Sequence, residues 1–227
     1  MNKNFSLSLI GILTFISLHN ANAADVYFEG QLGTTWMQDV DTDKYSGTVD
    51  GITATNLKGT LEYDSDLTMG AEIGFSKFGF ENIRLGLSAK KFKAKFKSMV
   101  VNGSLTDGTT TVTGPITAKR SDFGTIANSL DNKVQAYYLM GYYDFPPEDK
   151  LTPYVGIGVG LADIQNVKDK EFALGLSAGV NYDVSEKIYL GMRLDYNRIA
   201  AGVTDKIGIT YEAIQSVSAL ATVGFRF

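Results

Sequence analysis

The stretch that decides the fold is SALATVGFRF, residues 218–227. Its apolar side chains recur at every second position, from Ala219 through Val223 to Phe227, and Ser218, Gly224 and Arg226 are among the residues that fill the alternate positions. A period of two is the signature of a β-strand with one apolar face. Such a strand exposes unpaired backbone groups unless a second strand lies along its edge. The pattern therefore predicts that another part of the chain pairs with this strand.

Seven further segments show the same alternation. They are 26–38, 61–75, a segment that starts near Ile83, 133–145, 153–162, 171–183 and 187–198, and the last strand runs from about 213 to 227. Each is long enough for the roughly 9–11 residues with which a tilted strand crosses a bilayer. In 133–145 both faces carry apolar or aromatic residues, so this segment leaves open which face is outward.

The connections between these segments alternate in length. The short ones are 76–82, 146–152 and 183–187. The long ones are 39–60, 98–132, 163–170 and 199–212. Short turns on one side and long loops on the other are typical of outer-membrane barrels. With eight strands, both ends of the barrel chain fall on the short-turn side, which is periplasmic in such proteins.

The second face of the strands consists mostly of glycine, alanine, serine and threonine, with few charges. Small residues suit the narrow interior of an eight-stranded barrel, which side chains just fill. The alternative, a soluble lipocalin-like barrel, would turn its apolar face inward and would need more charge outside. The pattern favours an all-β, eight-stranded antiparallel up-and-down transmembrane β-barrel, whose last strand pairs with its first.

Residues 1–23 precede the first alternating segment and have the parts of a secretory signal peptide. Lys3 supplies a positive charge, an apolar run follows, and Ala21 and Ala23 form a cleavage pattern. The apolar run is too short to cross a bilayer as a helix, which argues against the alternative of a retained anchor. We predict cleavage after Ala23 and a barrel over residues 24–227.

The composition excludes several classes of function. The formal net charge is −4 at pH 7, which argues against a nucleic-acid partner. There is no cysteine, and the one histidine, His19, lies in the predicted signal peptide. The barrel thus lacks the usual neutral-pH general base, a thiol nucleophile, and imidazole or thiolate metal ligands. We predict no catalytic, cofactor or metal site, with a membrane-embedded enzyme as the remote alternative.

One loop has partial calcium-loop spacing. Aspartates occupy positions 1, 3, 5 and 12 of an EF-hand-like count, at Asp39, Asp41, Asp43 and Asp50. Lys44 stands where that loop needs glycine, and no flanking helices are predicted. We interpret residues 39–50 as a solvated acidic loop and leave calcium binding open.

The segment KKFKAKFK, residues 90–97, changes the parity of its apolar positions. Leu85, Leu87 and Ala89 are odd-numbered, whereas the apolar residues of this segment are even-numbered. A β-bulge near Lys90 and Lys91 would account for the switch. Four lysines alternate with these apolar residues, at Lys91, Lys93, Lys95 and Lys97. Because this end of the strand should reach the outer surface, they could contact lipid phosphates; the alternative is a solvated hairpin beyond the membrane.

Five charged residues share the small-residue face of their strands. They are Glu29, Glu72, Arg84 and Arg226 near the short-turn end, and Arg193 somewhat higher. Closure of the barrel makes most of their strands neighbours. Unpaired buried charges are costly, so we expect these side chains to hydrogen-bond in one layer that fills the lumen. The alternative is that each charge snorkels separately toward periplasmic water.

Three features resemble one group of proteins: TPYVGIGVGLA (152–162), SAGVNYDVSEKIYLGMRLDYN (177–197) and the terminal phenylalanine. They resemble the small eight-stranded outer-membrane barrels, which include opacity-protein-like and OmpX-like bacterial surface antigens. The resemblance implies a Gram-negative-type outer membrane and an insertion signal, Phe225 and Phe227, that the barrel-insertion machinery reads. It also implies adhesion, host or envelope contacts through the long loops. We expect a monomer surrounded by outer-membrane lipid, with a host-surface or matrix ligand; a narrow passive pore is the main alternative.

Overall fold

The computed structural model describes residues 25–49, 51–77, 80–124, 131–165, 167, 169–200, 203–204 and 210–227. The strands are β1 (Asp25–Met37), β2 (Val40–Asp41), β3 (Tyr45–Val49), β4 (Ile52–Asp64), β5 (Asp66–Ser76), β6 (Ile83–Thr106), β7 (Thr111–Thr113), β8 (Ile116–Lys119), β9 (Asn132–Asp144), β10 (Leu151–Ile164), β11 (Glu171–Asp183), β12 (Ile188–Ile199), β13 (Val203–Thr204), β14 (Thr210–Tyr211) and β15 (Ile214–Arg226). The predicted signal peptide lies outside the described residues. Across the described part of the chain, no helix has the length and apolar character needed to span a membrane.

Eight of these strands pair in a closed antiparallel ring. Their order is β1, β5, β6, β9, β10, β11, β12 and β15, and β15 returns to β1. In the closing pair, Phe28 lies opposite Phe225 and Trp36 opposite Val217. The predicted partner of the last strand is therefore confirmed, and so is the predicted fold class. Closure leaves neither the first nor the last strand with a free edge.

Side chains alternate between the two faces of the wall as the pattern requires. In β15, Val223 and Phe225 are exposed, whereas Ser218 and Thr222 are buried. In β9, the strand whose faces were left open, even-numbered residues point inward and odd-numbered ones outward. The outward residues of the ring are mostly apolar, so the outer wall can lie against lipid without unpaired charge.

The long strand β6 corrects one prediction. Every even-numbered residue from Arg84 to Ser98 is buried, and the pairing with β9 runs from Ile83 to Ala94 without a register shift. The predicted bulge near Lys90 and Lys91 is therefore wrong. The apolar parity switches because the lumen itself becomes apolar at this height, where inward Phe92 replaces the small residues below. Register shifts occur only higher, in the pairing with β4: one lies between Glu62 and Tyr63, where Lys97 of β6 has no β4 partner, and a second lies between Thr55 and Lys58.

Beyond the ring, strands at the long-loop end form an added sheet. The upper part of β6 pairs with β4, which pairs with β2 and β3. On its other edge, β6 pairs with β7 and β8. The described parts of the predicted loops 39–60 and 98–132 are thus largely strand, held above the barrel as a continuation of its wall.

Two aromatic belts frame the apolar band on the outer wall. At the short-turn end, exposed aromatic side chains include Phe28, Tyr143, Phe145, Tyr182, Phe225 and Phe227. At the long-loop end they include Trp36, Tyr137 and Phe172. Between the belts the outward residues of β10 are apolar. Aromatic belts on both sides of a band about 25 Å tall mark the membrane interfaces of such barrels.

Candidate functional site: the barrel interior and the long-loop end

The centre of the lumen is an ion cluster built around Arg193. Its Nη1 lies 3.0 Å from Glu72 Oε2 and 3.5 Å from Glu29 Oε1. Its Nε donates to Asp195 Oδ1 at 2.7 Å. The two glutamates lie directly opposite each other on β1 and β5. All four side chains are buried, so this cation holds three carboxylates in the interior.

A second cation extends the cluster across the lumen. Lys90 Nζ donates to Asp195 Oδ2 at 2.5 Å, and Ser177 Oγ donates to the other oxygen of that carboxylate. Arg193 Nη2 in turn donates to Ser177 Oγ at 3.0 Å. Asp195 is therefore shared by a lysine on β6 and an arginine on β12, which stand on opposite parts of the wall. These contacts cross-link the barrel through its interior.

Tyrosines complete the coordination of the two glutamates. Tyr27 and Tyr142 donate to the two oxygens of Glu72, each at 2.6 Å. Tyr189 donates to Glu29 at 3.0 Å. Hydrogen bonds to ionised groups are stronger than neutral ones, so these rings both fill space and stabilise the charges.

The other two predicted arginines lie toward the short-turn end and bind other carboxylates. Arg84 Nε donates to both oxygens of Asp144, at 2.9 and 2.8 Å, and its guanidinium stacks 4.6 Å from the Tyr142 ring centroid. Arg226 pairs with Asp183 at 2.8 Å, and both side chains are partly exposed. The structure thus brings Glu29, Glu72 and Arg193 together, and it gives Arg84 and Arg226 separate partners.

Apolar side chains fill the lumen at the long-loop end. They include Met37, Val40, Phe92, Ala94, Val134, Ala136, Ala162, Ile164, Ala173, Ile199 and Ile214, and all are buried. Apart from Val40, which lies on β2, they come from seven of the eight ring strands, so the layer extends around the barrel. A solute on the barrel axis would have to cross both this apolar layer and the ion cluster.

Sequence reasoning missed Lys90, Asp195 and the three tyrosines as members of the cluster. The sequence does place two of them on the inward face. Lys90 is an even number of residues from Arg84 on the same strand, and Asp195 is two residues from Arg193. The assumption of a bulge reassigned the face of Lys90. Tyr27 shares the face of Glu29, and Tyr142 lies in the segment whose faces were left open. Period two alone does not show where a tyrosine hydroxyl finds its partner.

A cavity of about 500 Å³ opens on one face of the added sheet. Its floor contains Leu57, Gly59, Met99 and Val101, and Tyr45 stands at its wall. The opposite face of the sheet carries hydroxyl groups, among them Thr106 and Thr111 on neighbouring strands. One face of the sheet therefore holds a cavity whose lining also includes Asp43 and Lys44, and the other face carries hydroxyl groups.

The four predicted lysines of β6 lie on the outward face of their strand. Lys91, Lys95 and Lys97 are exposed, and Lys93 is partly exposed. Lys93 pairs with Asp131 at 2.9 Å, and Lys97 lies 3.6 Å from Glu62. They begin one outward position above Ala89, where the apolar band ends on this strand.

The aspartate loop engages its own surroundings. Asp41 forms an ion pair of 2.7 Å with Lys58 and accepts a hydrogen bond from Thr60. These hydrogen bonds lower the pKa of Asp41. Within the described residues, no group of three or more His, Cys, Asp or Glu side chains could hold a metal ion; Asp50 lies outside them.

Comparison with known proteins gives the family. Residues 6–227 match the family described as "Outer membrane protein beta-barrel domain". The chain belongs to this outer-membrane β-barrel family. It therefore resides in the outer membrane, and the apolar outer wall described above faces lipid.

Individual relatives of this barrel are distant. An uncharacterized protein of Haemophilus influenzae is 32% identical over 104 residues, which are 40% of this chain and 56% of that protein. The crystal structure of Neisserial surface protein A is 14% identical with a TM-score of 0.54, over 89% of this chain and 97% of that one. OprG from Pseudomonas aeruginosa is 15% identical with a TM-score of 0.50, over 92% and 98%. At these identities the two structures share the fold alone.

Proposed function

We propose that this barrel is a surface protein of a Gram-negative-type outer membrane. Its long-loop end faces outward and makes adhesive, host or envelope contacts, and its lumen is closed to solutes. The observation that carries the proposal is the filled interior, in which the Arg193 cluster and an apolar layer lie in series. A protein that conducted through this lumen would have to break buried ion pairs, which costs several kcal/mol.

The contact regions in this proposal are 39–60, 98–132, 163–170 and 199–212. The added sheet supports it, because β6 continues from the outer boundary near Ala89 to Thr106. At about 3.3 Å per residue that extension is about 55 Å of strand. Binding residues often lie on segments held by a rigid scaffold, and this wall is such a scaffold.

A deletion of residues 104–113 tests the proposal with little disturbance of the barrel. The amide of Gly114 already donates to the carbonyl of Gly103 at 3.0 Å, so the two glycines can form the shortened turn. We expect refolded barrel to bind host epithelial cells or matrix proteins, and the deletion to reduce binding at least tenfold. A variant with a peptide inserted in 184–187, at the short-turn end, is the control and should bind as the parent does.

Two results would contradict the proposal. One is absence of binding by the parent barrel to cells, matrix proteins and outer-membrane extracts. The other is binding that the insertion in 184–187 abolishes and the deletion leaves unchanged. Either would remove the support for contacts at the long-loop end; the narrow pore, the alternative in a different functional class, is tested separately by conductance.

The proposal assigns no reaction to the barrel, because the sequence has no cysteine and its one histidine is His19. It assigns Phe225 and Phe227 a part in insertion. Both side chains are exposed in the short-turn aromatic belt, and the Phe227 amide donates to the Val26 carbonyl at 2.9 Å. The terminal residue is thus fixed at the closing seam of β1 and β15.

A further inference from the structure

A band of lysines runs along the outer wall of β6 and onto β9. Lys91 lies opposite Gln135, and Lys93 lies directly opposite Lys133. Lys170, between β10 and β11, stacks 5.9 Å from the ring centroid of Tyr137. This basic band is defined as Lys91, Lys93, Lys95, Lys97, Lys133 and Lys170, on a protein whose net charge is negative.

The height of the basic band relative to the membrane follows from the register. Ala89 lies opposite Tyr137, which lies opposite Leu161, and on β6, β9 and β10 this row is the upper edge of the apolar band. On β5 the exposed Met69, opposite Lys91, and Leu67 continue the band higher. Consecutive outward positions rise about 5 Å along the membrane normal at a tilt of about 40°. Lys91 therefore stands about 5 Å, and Lys93 and Lys133 about 10 Å, above the apolar edge, whereas Lys97 stands about 20 Å above it.

A headgroup layer is about 5–8 Å thick on each side of a bilayer. Lys91 lies within that layer, and Lys133 reaches it because a lysine ammonium can snorkel along its four-carbon stem. Lys97 lies well beyond it. The lower part of the basic band is therefore at the level of lipid phosphates.

The lower lysines also lack protein counterions. Among the residues that the structure describes, Lys91 and Lys133 form no ion pair, whereas Lys95 lies directly opposite Asp64. The nearest outward carboxylate in the register of Lys91 is Asp163, opposite Gln135. Like charges directly opposite each other destabilise a sheet, and Lys93 and Lys133 are such a pair. Asp131 offsets this repulsion on the Lys93 side, and an external anion beside Lys133 would offset the rest.

Asp131 holds Lys93 of the basic band in an ion pair. It pairs with Lys93 at 2.9 Å and with Arg120 at 2.6 Å, and it accepts a hydrogen bond from the Phe96 amide. Burial acts to raise the pKa of Asp131, but the hydrogen bonds from these groups lower it to about 2. The carboxylate stays ionised and engages Lys93, which leaves Lys133 and Lys91 to face an external anion.

We propose that Lys91 and Lys133 bind the phosphate groups of anionic lipids in the outer leaflet, at the seam between β6 and β9. The ligand class is a phosphorylated lipid headgroup, whose acyl chains lie along the apolar wall below Ala89 and Tyr137. Lys93 is a positioning residue, held by Asp131. Lys97 is engaged by Glu62 and stands above the phosphate level.

The single tryptophan of the chain makes a direct test possible. Trp36 lies at the upper apolar edge of β1, two strands from β6, or about 10 Å along the wall. Barrel is reconstituted in phosphatidylcholine vesicles that contain brominated phosphatidylglycerol or brominated phosphatidylcholine, and quenching of Trp36 gives the relative affinity of the two lipids. One lysine near an anionic surface is worth about a fivefold preference.

We expect the parent barrel to prefer phosphatidylglycerol about fivefold or more, and high salt to weaken that preference. The double variant Lys91→Gln/Lys133→Gln should show no preference, and Lys97→Gln, the control on the same strand face, should retain it. Mobility of unboiled samples in gels verifies that each variant is folded. An unchanged preference in the double variant overturns the proposal. So does binding of a soluble polyanion such as heparin that the double variant loses while its lipid preference persists. Neither result bears on the surface-contact proposal, which is tested at residues 104–113.

Discussion

Replacement of Arg193 by methionine should be among the most destabilising single changes in this barrel. Methionine matches much of the length of the side chain but removes the cation between Glu29, Glu72 and Asp195. Lys90 remains with Asp195, so the two opposed glutamates lose their shared partner. Removal of one member of a buried pair typically costs about 3–5 kcal/mol, because the remaining charge is buried and uncompensated.

The cost has a ceiling that depends on pH. A carboxylate left without a cation can take up a proton, which costs an ordinary glutamic acid about 4 kcal/mol at pH 7 and about 1 kcal/mol at pH 5. With two glutamates affected, we expect Arg193→Met to lower the free energy of unfolding by about 4–7 kcal/mol at pH 7. The loss of unfolding free energy should shrink by several kcal/mol at pH 5, because protonation of a glutamate then costs less and still relieves the repulsion.

The assay is urea unfolding of barrel in lipid vesicles, followed by fluorescence of Trp36 and by heat-modified gel mobility. Arg226→Met is the matched control, because its partner Asp183 and Arg226 itself are partly exposed, and such pairs are worth about 0–1 kcal/mol. Glu72→Gln added to Arg193→Met should recover part of the loss. If Arg193→Met destabilises the barrel no more than Arg226→Met does, the interior cluster is not the buried, mutually dependent unit described here.

Three further predictions concern the ends of the barrel. Phe227→Ser should lower the amount of heat-modifiable barrel in outer-membrane fractions, because Phe227 anchors the closing seam; unchanged assembly under normal expression would count against this role. Peptide tags in 39–60 or 98–132 should be detected on intact cells and tags in 183–187 only after the outer membrane is opened; the reverse labelling would overturn the orientation. The lowered pKa of Asp131, about 2, means that its contribution is complete above about pH 4 and is lost as pH falls through 2. Hydrogen exchange at the Phe96 amide, which donates to Asp131, should therefore accelerate between pH 4 and pH 2 relative to its intrinsic rate, and Asp131→Asn should remove this effect.

Strand positions and barrel closure were predictable because both follow from alternation and loop length. The last strand needed a partner, and β1 supplied it with the expected parity. Alternation carries this information because every residue in a barrel wall must face either lipid or the lumen.

The error at Lys90 and Lys91 shows what alternation cannot show. The prediction assumed a lumen of uniform polarity, so an apolar even-numbered face seemed to require a bulge. The lumen instead changes from charged to apolar along its axis, and Phe92 points inward in an unshifted register. Height along the axis depends on tilt and stagger between strands, which a single strand does not encode.

The ion pairs of the barrel interior were only partly predictable for the same reason. Glu29 and Glu72 were expected to meet, and they lie opposite each other in register. Arg84 pairs with Asp144 on the adjacent strand β9. Arg226 of β15 pairs with Asp183 at the end of β11, where the turn to β12 begins. Which cation reaches which carboxylate depends on side-chain length across a narrow lumen, and the pattern of residue types does not determine it.

The ion cluster and the apolar layer together close the lumen, and single-channel recording tests this closure most directly. Refolded parent barrel is inserted into planar lipid bilayers, with a porin in the same membranes as a positive control. The structure predicts no steady, reproducible openings at any applied voltage that the bilayer tolerates. Openings of uniform size that scale with salt concentration would contradict the claim and would establish the barrel as a pore.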